Sequence, residues 1–302
     1  MPVSITNAVL GEDRKLRHIW RAALFLALAM YVVQPLADKL FALTGAALHV
    51  SGALSAGAIA FNEFENFVIA LLCTLPFAVY ERRRVDSYGL SVERAFRLPL
   101  LEGVLAGVFM AVAVALGMFA LGGMQVHGLA LTGSALVWSA IGWLGANILV
   151  GIAEEFWFRA YFLQSLWRSI GFWPASLVIA GLFAADHYFY KAGENVWDVI
   201  TLVSLSLLMC YTVLKTGTLW FAVGFHIAFD YMQLFVIGTP NGDKIPAGRL
   251  LDVTFGGPAW LTGGVLGTEA SWLMYPAITL LWLYIWWRFR PAAARLAEPP
   301  LP

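Results

Sequence analysis

The sequence predicts an all-α fold, a polytopic membrane helix bundle of about eight transmembrane helices with both termini cytoplasmic. Three observations predict it. Only 13% of the 302 residues are charged and 60% are hydrophobic, whereas soluble domains carry roughly a quarter charged residues. The apolar residues gather into runs near the roughly 20 residues that cross about 30 Å of hydrocarbon. Basic residues fall unevenly at the ends of those runs. With the N-terminus inside, 15 of the 19 Lys and Arg residues lie inside and only Lys39, Lys191, Lys244 and Arg249 outside, in keeping with the positive-inside rule.

The elements follow in order. Residues 1–17 read as a polar cytoplasmic segment, and the apolar run after them is too long for a cleavable signal peptide. The first span is 18–37. Residues 40–61 are apolar but rich in Gly, Ser and Ala, and read as an extracytoplasmic loop or a helix on the membrane surface; were they to span, the count would be nine. Span 64–79 ends at Arg82-Arg83-Arg84, a topology anchor. Span 98–121 follows Arg94 and Arg97. Span 134–153 opens a stretch that stays apolar to Trp167, too long for one crossing, so the helix is expected to bend or to extend beyond the membrane, near Gly151. Spans 173–190, 199–214 and 218–237 follow, and 272–287 ends on the interfacial anchor Trp286-Trp287-Arg288. Gly-rich outer loops at 122–133 and 238–269 carry no readable chemistry, and 291–302 is expected to be a disordered cytoplasmic tail. Residues 18–290 form one membrane-embedded domain of an integral, multi-pass protein, expected in the cell inner (cytoplasmic) membrane. Membrane lipid is a required partner. Zero formal net charge argues against nucleic acid, and Cys73 and Cys210, both in apolar runs, indicate neither a disulfide nor a cysteine metal site.

Three polar clusters interrupt the apolar segments. Glu154 and Glu155 are adjacent, and intramembrane acids are costly enough to be functional-site hypotheses by default. Glu155 and Arg159, four apart, share a helix face, so Arg159 can neutralise Glu155. Glu154, about 100° away, is left for chemistry. If Arg168 marks the membrane surface along one helix, Glu154 lies about 20 Å inward. The competing reading puts both acids at the interface, paired with Arg159 and Arg168. Phe183 and His187 form the second same-face pair. Asp186 points elsewhere and could pair with Lys191. His226 and Asp230 form the third; Asp230 could fix the His226 tautomer so that the other nitrogen faces the site, or the two could simply join helices.

A carboxylate with two histidines suits two chemistries. Glu154 could act as general base on a water attacking a peptide carbonyl, with His187, His226 and Asp230 orienting the water or stabilising the oxyanion. Alternatively Glu154, His187 and His226 could hold zinc, which lowers the pKa of bound water, although His-Glu-x-x-His is absent. Without Gly-x-Ser-x-Gly or a phosphate loop, a serine hydrolase or NTPase is disfavoured.

Glu154-Glu155-x-x-x-Arg159, Phe183-x-x-x-His187 and His226-x-x-x-Asp230 resemble, in order and approximate spacing, the three motifs of the CPBP family, the CAAX prenyl protease and bacteriocin-processing (ABI) membrane endopeptidases. The likeness covers about 149–230. It implies an eight-helix-type bundle around a conical cavity open to the cytosol, and a glutamate-type intramembrane endopeptidase once thought metal-dependent. Glu154 would activate water, His187 assist, and His226 with position 230 form the oxyanion site, organised by Glu155 and Arg159. Position 230 is commonly Asn in the prenyl protease branch and is Asp here; an ionised Asp cannot donate to an oxyanion. The resemblance admits peptide maturation, bacteriocin self-immunity and regulation of membrane signalling partners. The expectation is an endopeptidase acting on a peptide or protein substrate, with no obligatory cofactor. Its rivals are a non-catalytic membrane scaffold or immunity protein, a proton-coupled transporter, and a zinc-dependent version of the same protease.

Overall fold

The computed structural model describes residues 8–11, 13–45 and 54–290; residues 1–7 and 12 of the segment 1–17 and the whole tail 291–302 lie outside them. Helix α1 (His18–Leu28) passes through a widened π turn (Ala29–Val33) into α2 (Gln34–Gly45). Pro35 explains the widening: it lacks an N–H, and its ring crowds the carbonyl four residues back, at Tyr31. After α3 (Ala56–Glu81), capped by the Ser55 hydroxyl on the Ala58 N–H, come α4 (Leu98–Ala120), β1 (Met124–Leu129), α5 (Gly133–Arg159), α6 (Tyr161–Ile170), α7 (Phe172–Tyr190), α8 (Val196–Thr216) and α9 (Trp220–Asp230). A π-helical segment, Tyr231–Ile237, extends α9. Strand β2 (Leu251–Phe255), short α10 (Ala259–Thr262) and α11 (Met274–Arg288) complete the chain.

Among the described residues, six helical stretches are long and apolar enough to cross a membrane: His18–Leu43, Ala56–Glu81, Leu98–Ala120, Gly133–Ile170, Val196–Thr216 and Trp220–Ile237. The protein is an integral, multi-pass helical bundle. The other two expected spans are helices that fall short of that measure. Helix α11 has 15 residues, about 22 Å at about 1.5 Å each, and α7 carries Pro174, Asp186 and His187. Residues 40–61 do not form a ninth span: they divide between the end of α2, the start of α3 and the undescribed 46–53.

Helix α9 lies at the centre, with Phe221, Ala222 and Val223 wholly buried. It crosses α4 at backbone distance, because a Cβ on Gly103 would collide with the Phe221 carbonyl oxygen and one on Gly224 with the Leu100 carbonyl oxygen. Small residues at the crossing are the usual device where lipid removes the hydrophobic drive between helices. The opposite face of α4 exposes Leu101, Leu105, Phe109 and Leu116, the inverse of a soluble helix.

Two sequence expectations change. The apolar stretch beyond 134 does not bend at Gly151; α5 runs unbroken to Arg159 and stops at Ala160, whose ψ of −107° is not helical. The two Gly-rich loops pair as an antiparallel ribbon, Val126 opposite Val253, with an irregularity at His127. Strands so far apart in sequence carry no hairpin signal, which is why an all-helical reading missed them.

Candidate active site

Gly151 sets the site's position. A Cβ there would lie 3.0 Å from the Val223 carbonyl oxygen and 2.7 Å from Ile227 Cγ1, so only glycine lets α9 press against α5 at this level. Glu154 and Glu155, three and four residues on, share that face and meet His226. His226 Nδ1 lies 3.2 Å from Glu155 Oε1. Its Nε2 lies 3.6 Å from Glu154 Oε2 and 3.5 Å from Asp230 Oδ2. Helical arithmetic separates the two glutamates, but one imidazole spans the groove between them. Its Nδ1 partner is Glu155 rather than Asp230, which stands at the opposite edge of the ring beside Glu154.

Glu155 is neutralised within its own helix: Arg159 donates to Oε1 at 2.8 Å, and both side chains are 1% exposed. The other guanidinium arm donates to Ser206 Oγ of α8 at 2.7 Å, and the plane lies 5.3 Å from the Phe183 ring centre. Arg159 therefore ties α5, α7 and α8 together. Glu154 is engaged differently. Each glutamate has an Oε2 that is buried without a hydrogen-bond partner among the described residues, but no arginine among them pairs with Glu154, whose side chain keeps 19% exposure against 1% for Glu155.

His187 joins through Phe183. The two rings are 4.5 Å apart, and His187 Nδ1 is 3.0 Å from the Phe183 carbonyl oxygen. A proton on Nδ1 donated to that carbonyl makes Nε2 the accepting edge. No hydrogen bond joins His187 to Glu154 or His226 among the described residues. Asp186 is exposed and does not take Lys191, whose ammonium binds Glu269 at 2.6 Å and lies 3.7 Å from Glu194. Arg168 faces Glu81 at 4.0 Å, so it does not pair the two site glutamates. With the break at Ala160, a depth for Glu154 measured from Arg168 along one continuous helix does not apply.

Several contributors were not legible. Glu63 of α3 lies within electrostatic reach of Glu154, His226, Asp230 and Asp186 and accepts from Asn66 at 3.3 Å. The costly-acid rule that singled out Glu154 would have found it had the span begun at Ala56 rather than Phe64. Ser206 reads in sequence as one more small residue in an apolar helix. Glu269 sits in a loop with no motif, yet it gathers Lys191 and, at 3.4 Å, Gln233. No group of three or more His, Cys, Asp or Glu side chains converges as a metal-ligand set among the described residues.

Fold and site together define a class: a polytopic helical membrane protein with an acid–base cluster shared by two helices, α5 and α9, and His187 of α7 attached through Phe183. Residues 136–232, about a third of the chain and the part that bears the site, match the family of type II CAAX prenyl endopeptidase Rce1-like proteins. The chain is also 31% identical over 121 residues to "Uncharacterized protein YyaK" of Bacillus subtilis (strain 168), a stretch covering 38% of this chain and 40% of that relative. Residues 136–232, the stretch matched by the family, contain Glu154, Glu155, Arg159, Phe183, His187, His226 and Asp230.

Proposed function

We propose that the protein is an intramembrane endopeptidase in which Glu154 activates water for attack on a peptide carbonyl. The observation that carries this is the unequal treatment of the two glutamates: Glu155 is bound by Arg159 and 1% exposed, while Glu154 has no arginine or lysine partner among the described residues, keeps 19% exposure and faces His226. As the water's C–O bond forms, its proton passes to Glu154. The negative charge of the tetrahedral intermediate faces His226, which in this scheme is an imidazolium, donating Nδ1–H to Glu155 and Nε2–H to the oxyanion. As the C–N bond breaks, Glu154 returns the proton to the leaving amine. Asp230, an acceptor when ionised, holds the Nε2 edge of His226 by charge. His187 offers its Nε2 lone pair to the attacking water. The scheme needs no metal ligand set; membrane lipid surrounds the bundle, and the substrate is a peptide or protein, with maturation of a membrane signalling partner as one setting.

The test uses the full chain in liposomes with internally quenched peptides ending in Cys-a-a-X, prenylated and unprenylated. Glu154→Gln should cut turnover at least about 10²-fold, at the lower end of what a general base contributes, with normal folding. Wild-type protein should keep its rate after zinc chelation. A Glu154→Gln enzyme at full rate removes the proposal and leaves the scaffold reading. Loss of activity on chelation, restored by zinc, replaces the glutamate scheme with the metal one.

A further inference from the structure

The loop before α11 supplies a buried joint between the two histidine-bearing helices. Lys191, immediately beyond α7, donates its backbone N–H to the His187 carbonyl at 2.8 Å and its ammonium to Glu269 Oε2 at 2.6 Å. The other oxygen of Glu269 accepts from Gln233 Nε2 at 3.4 Å. Gln233 is 2% exposed and lies three residues beyond Asp230 in the π segment that continues α9. Its Oε1 accepts from the Thr268 hydroxyl, and its backbone carbonyl accepts from the Thr239 N–H at 3.0 Å. Thr239 Oγ1 accepts in turn from the Thr268 N–H at 2.9 Å. Gly267 makes this seat, since a Cβ there would collide with both the Pro240 carbonyl oxygen and Thr239 Oγ1.

We infer that Glu269 is a positioning residue of the active site, locking the His187 end of α7 to the His226–Asp230 end of α9 through Lys191 and Gln233. The inference rests on the endopeptidase reading. Glu269 touches no reacting atom; it fixes the spacing of the two histidines and adds a negative charge behind them. The groups facing it are Lys191 and His187 from α7 and its end, Glu194 from the following turn, Asp198 from α8, and His226 and Asp230 from α9. Replacing the carboxylate by an amide removes one negative charge from the site and leaves the Lys191 ammonium opposed only by the more distant Glu194 and Asp198. That disfavours every protonated form nearby, so both limbs of the kcat–pH profile should move to lower pH.

The experiment compares wild type, Glu269→Gln, Lys191→Gln, the double variant and Glu154→Gln in liposomes with the prenylated quenched peptide. Glu269→Gln should lower kcat on the order of 10- to 100-fold, as small misplacements do, with little change in KM and the profile shifted to lower pH. The double variant should be no worse than the worse single one, the signature of groups acting as one unit. Thr268→Val, which keeps the charges and removes the hydroxyl to Gln233, should lower kcat without moving the profile, and it serves as the second variant if Glu269→Gln misfolds. Wild-type kcat and profile in Glu269→Gln, beside an inactive Glu154→Gln, overturns the inference and spares the endopeptidase reading. A fully active Glu154→Gln overturns that reading itself.

Discussion

Arg159 is where structural and chemical roles can be separated by one pair of substitutions. Arg159→Met leaves Glu155 buried with only the His226 imidazole beside it, since both members of the ion pair are 1% exposed. Breaking one side of a buried pair costs about 3–5 kcal/mol. The lost donor to Ser206 falls within that figure rather than adding to it. Against a total stability of about 5–15 kcal/mol, this is a large fraction. At roughly 2–4 °C per kcal/mol for a chain of this order, it lowers the unfolding midpoint by roughly 6–20 °C. Glu155→Gln/Arg159→Met removes both charges and should recover most of the loss, because a neutral pair of similar volume is often no less stable than a buried ion pair. Unfolding is followed in detergent by tryptophan fluorescence, and cleavage with the quenched peptide. The recovered double variant should still be slow, because the amide at position 155 no longer offers His226 Nδ1 a charged acceptor. A double variant as unstable as Arg159→Met refutes the charge-burial argument. One that is both stable and fully active refutes the role given to Glu155.

Gly107→Ala should impair folding and activity together, because its Cβ would lie 2.5 Å from the Phe225 carbonyl oxygen and 2.9 Å from the Phe229 amide nitrogen, pushing α9 and His226 off α4. Overpacking of this kind costs about 1–3 kcal/mol. Gly145→Ala on α5, where a Cβ meets nothing within 4 Å, should be neutral or stabilising in the same melting assay. Stability should also vary with pH through the Lys191–Glu269 pair. Burial pushes Glu269 upward, but the Lys191 ammonium outweighs it and holds the carboxyl below its usual range. Its contribution is therefore present above the unfolded value of about 4.3 and is lost as pH falls through the lower folded value. Burial opposes the Lys191 charge, yet ionised Glu269 raises its pKa above the usual range, so the pair's contribution holds from there up to pH values above about 10.4 and is lost only as pH rises through the higher folded value. Melting curves should show acid destabilisation that is smaller in Glu269→Gln; identical pH slopes in the two proteins would sink this assignment.

What the sequence made legible was whatever physics writes locally. Apolar run length anticipated the helices within a few residues at most ends, and four-residue spacing anticipated the Glu155–Arg159 contact, because both depend on neighbours along one helix. What it hid depends on encounters between distant segments. The β1–β2 ribbon needs partners 122 residues apart at Leu129 and Leu251, and Gly151 looks like a bend until the backbone of α9 is placed against it. Glu63 and Glu269 were missed for different reasons. The first fell outside a span drawn too short, and the second belongs to a polar thread whose members lie on three separate segments.

The site's logic follows from how few charges the bundle admits and how they are distributed. Three carboxylates surround one imidazole, while a single guanidinium is committed to only one of them. That asymmetry differentiates two adjacent glutamates that sequence chemistry alone makes equivalent. It arises from backbone approach rather than from the charges: without glycine at 151, α9 could not come close enough for His226 to reach both carboxylates. Asp230 fits the same logic. Where an amide would donate, a carboxylate adds a third negative charge at the Nε2 edge, and in the proposed scheme that charge favours the imidazolium that faces the oxyanion.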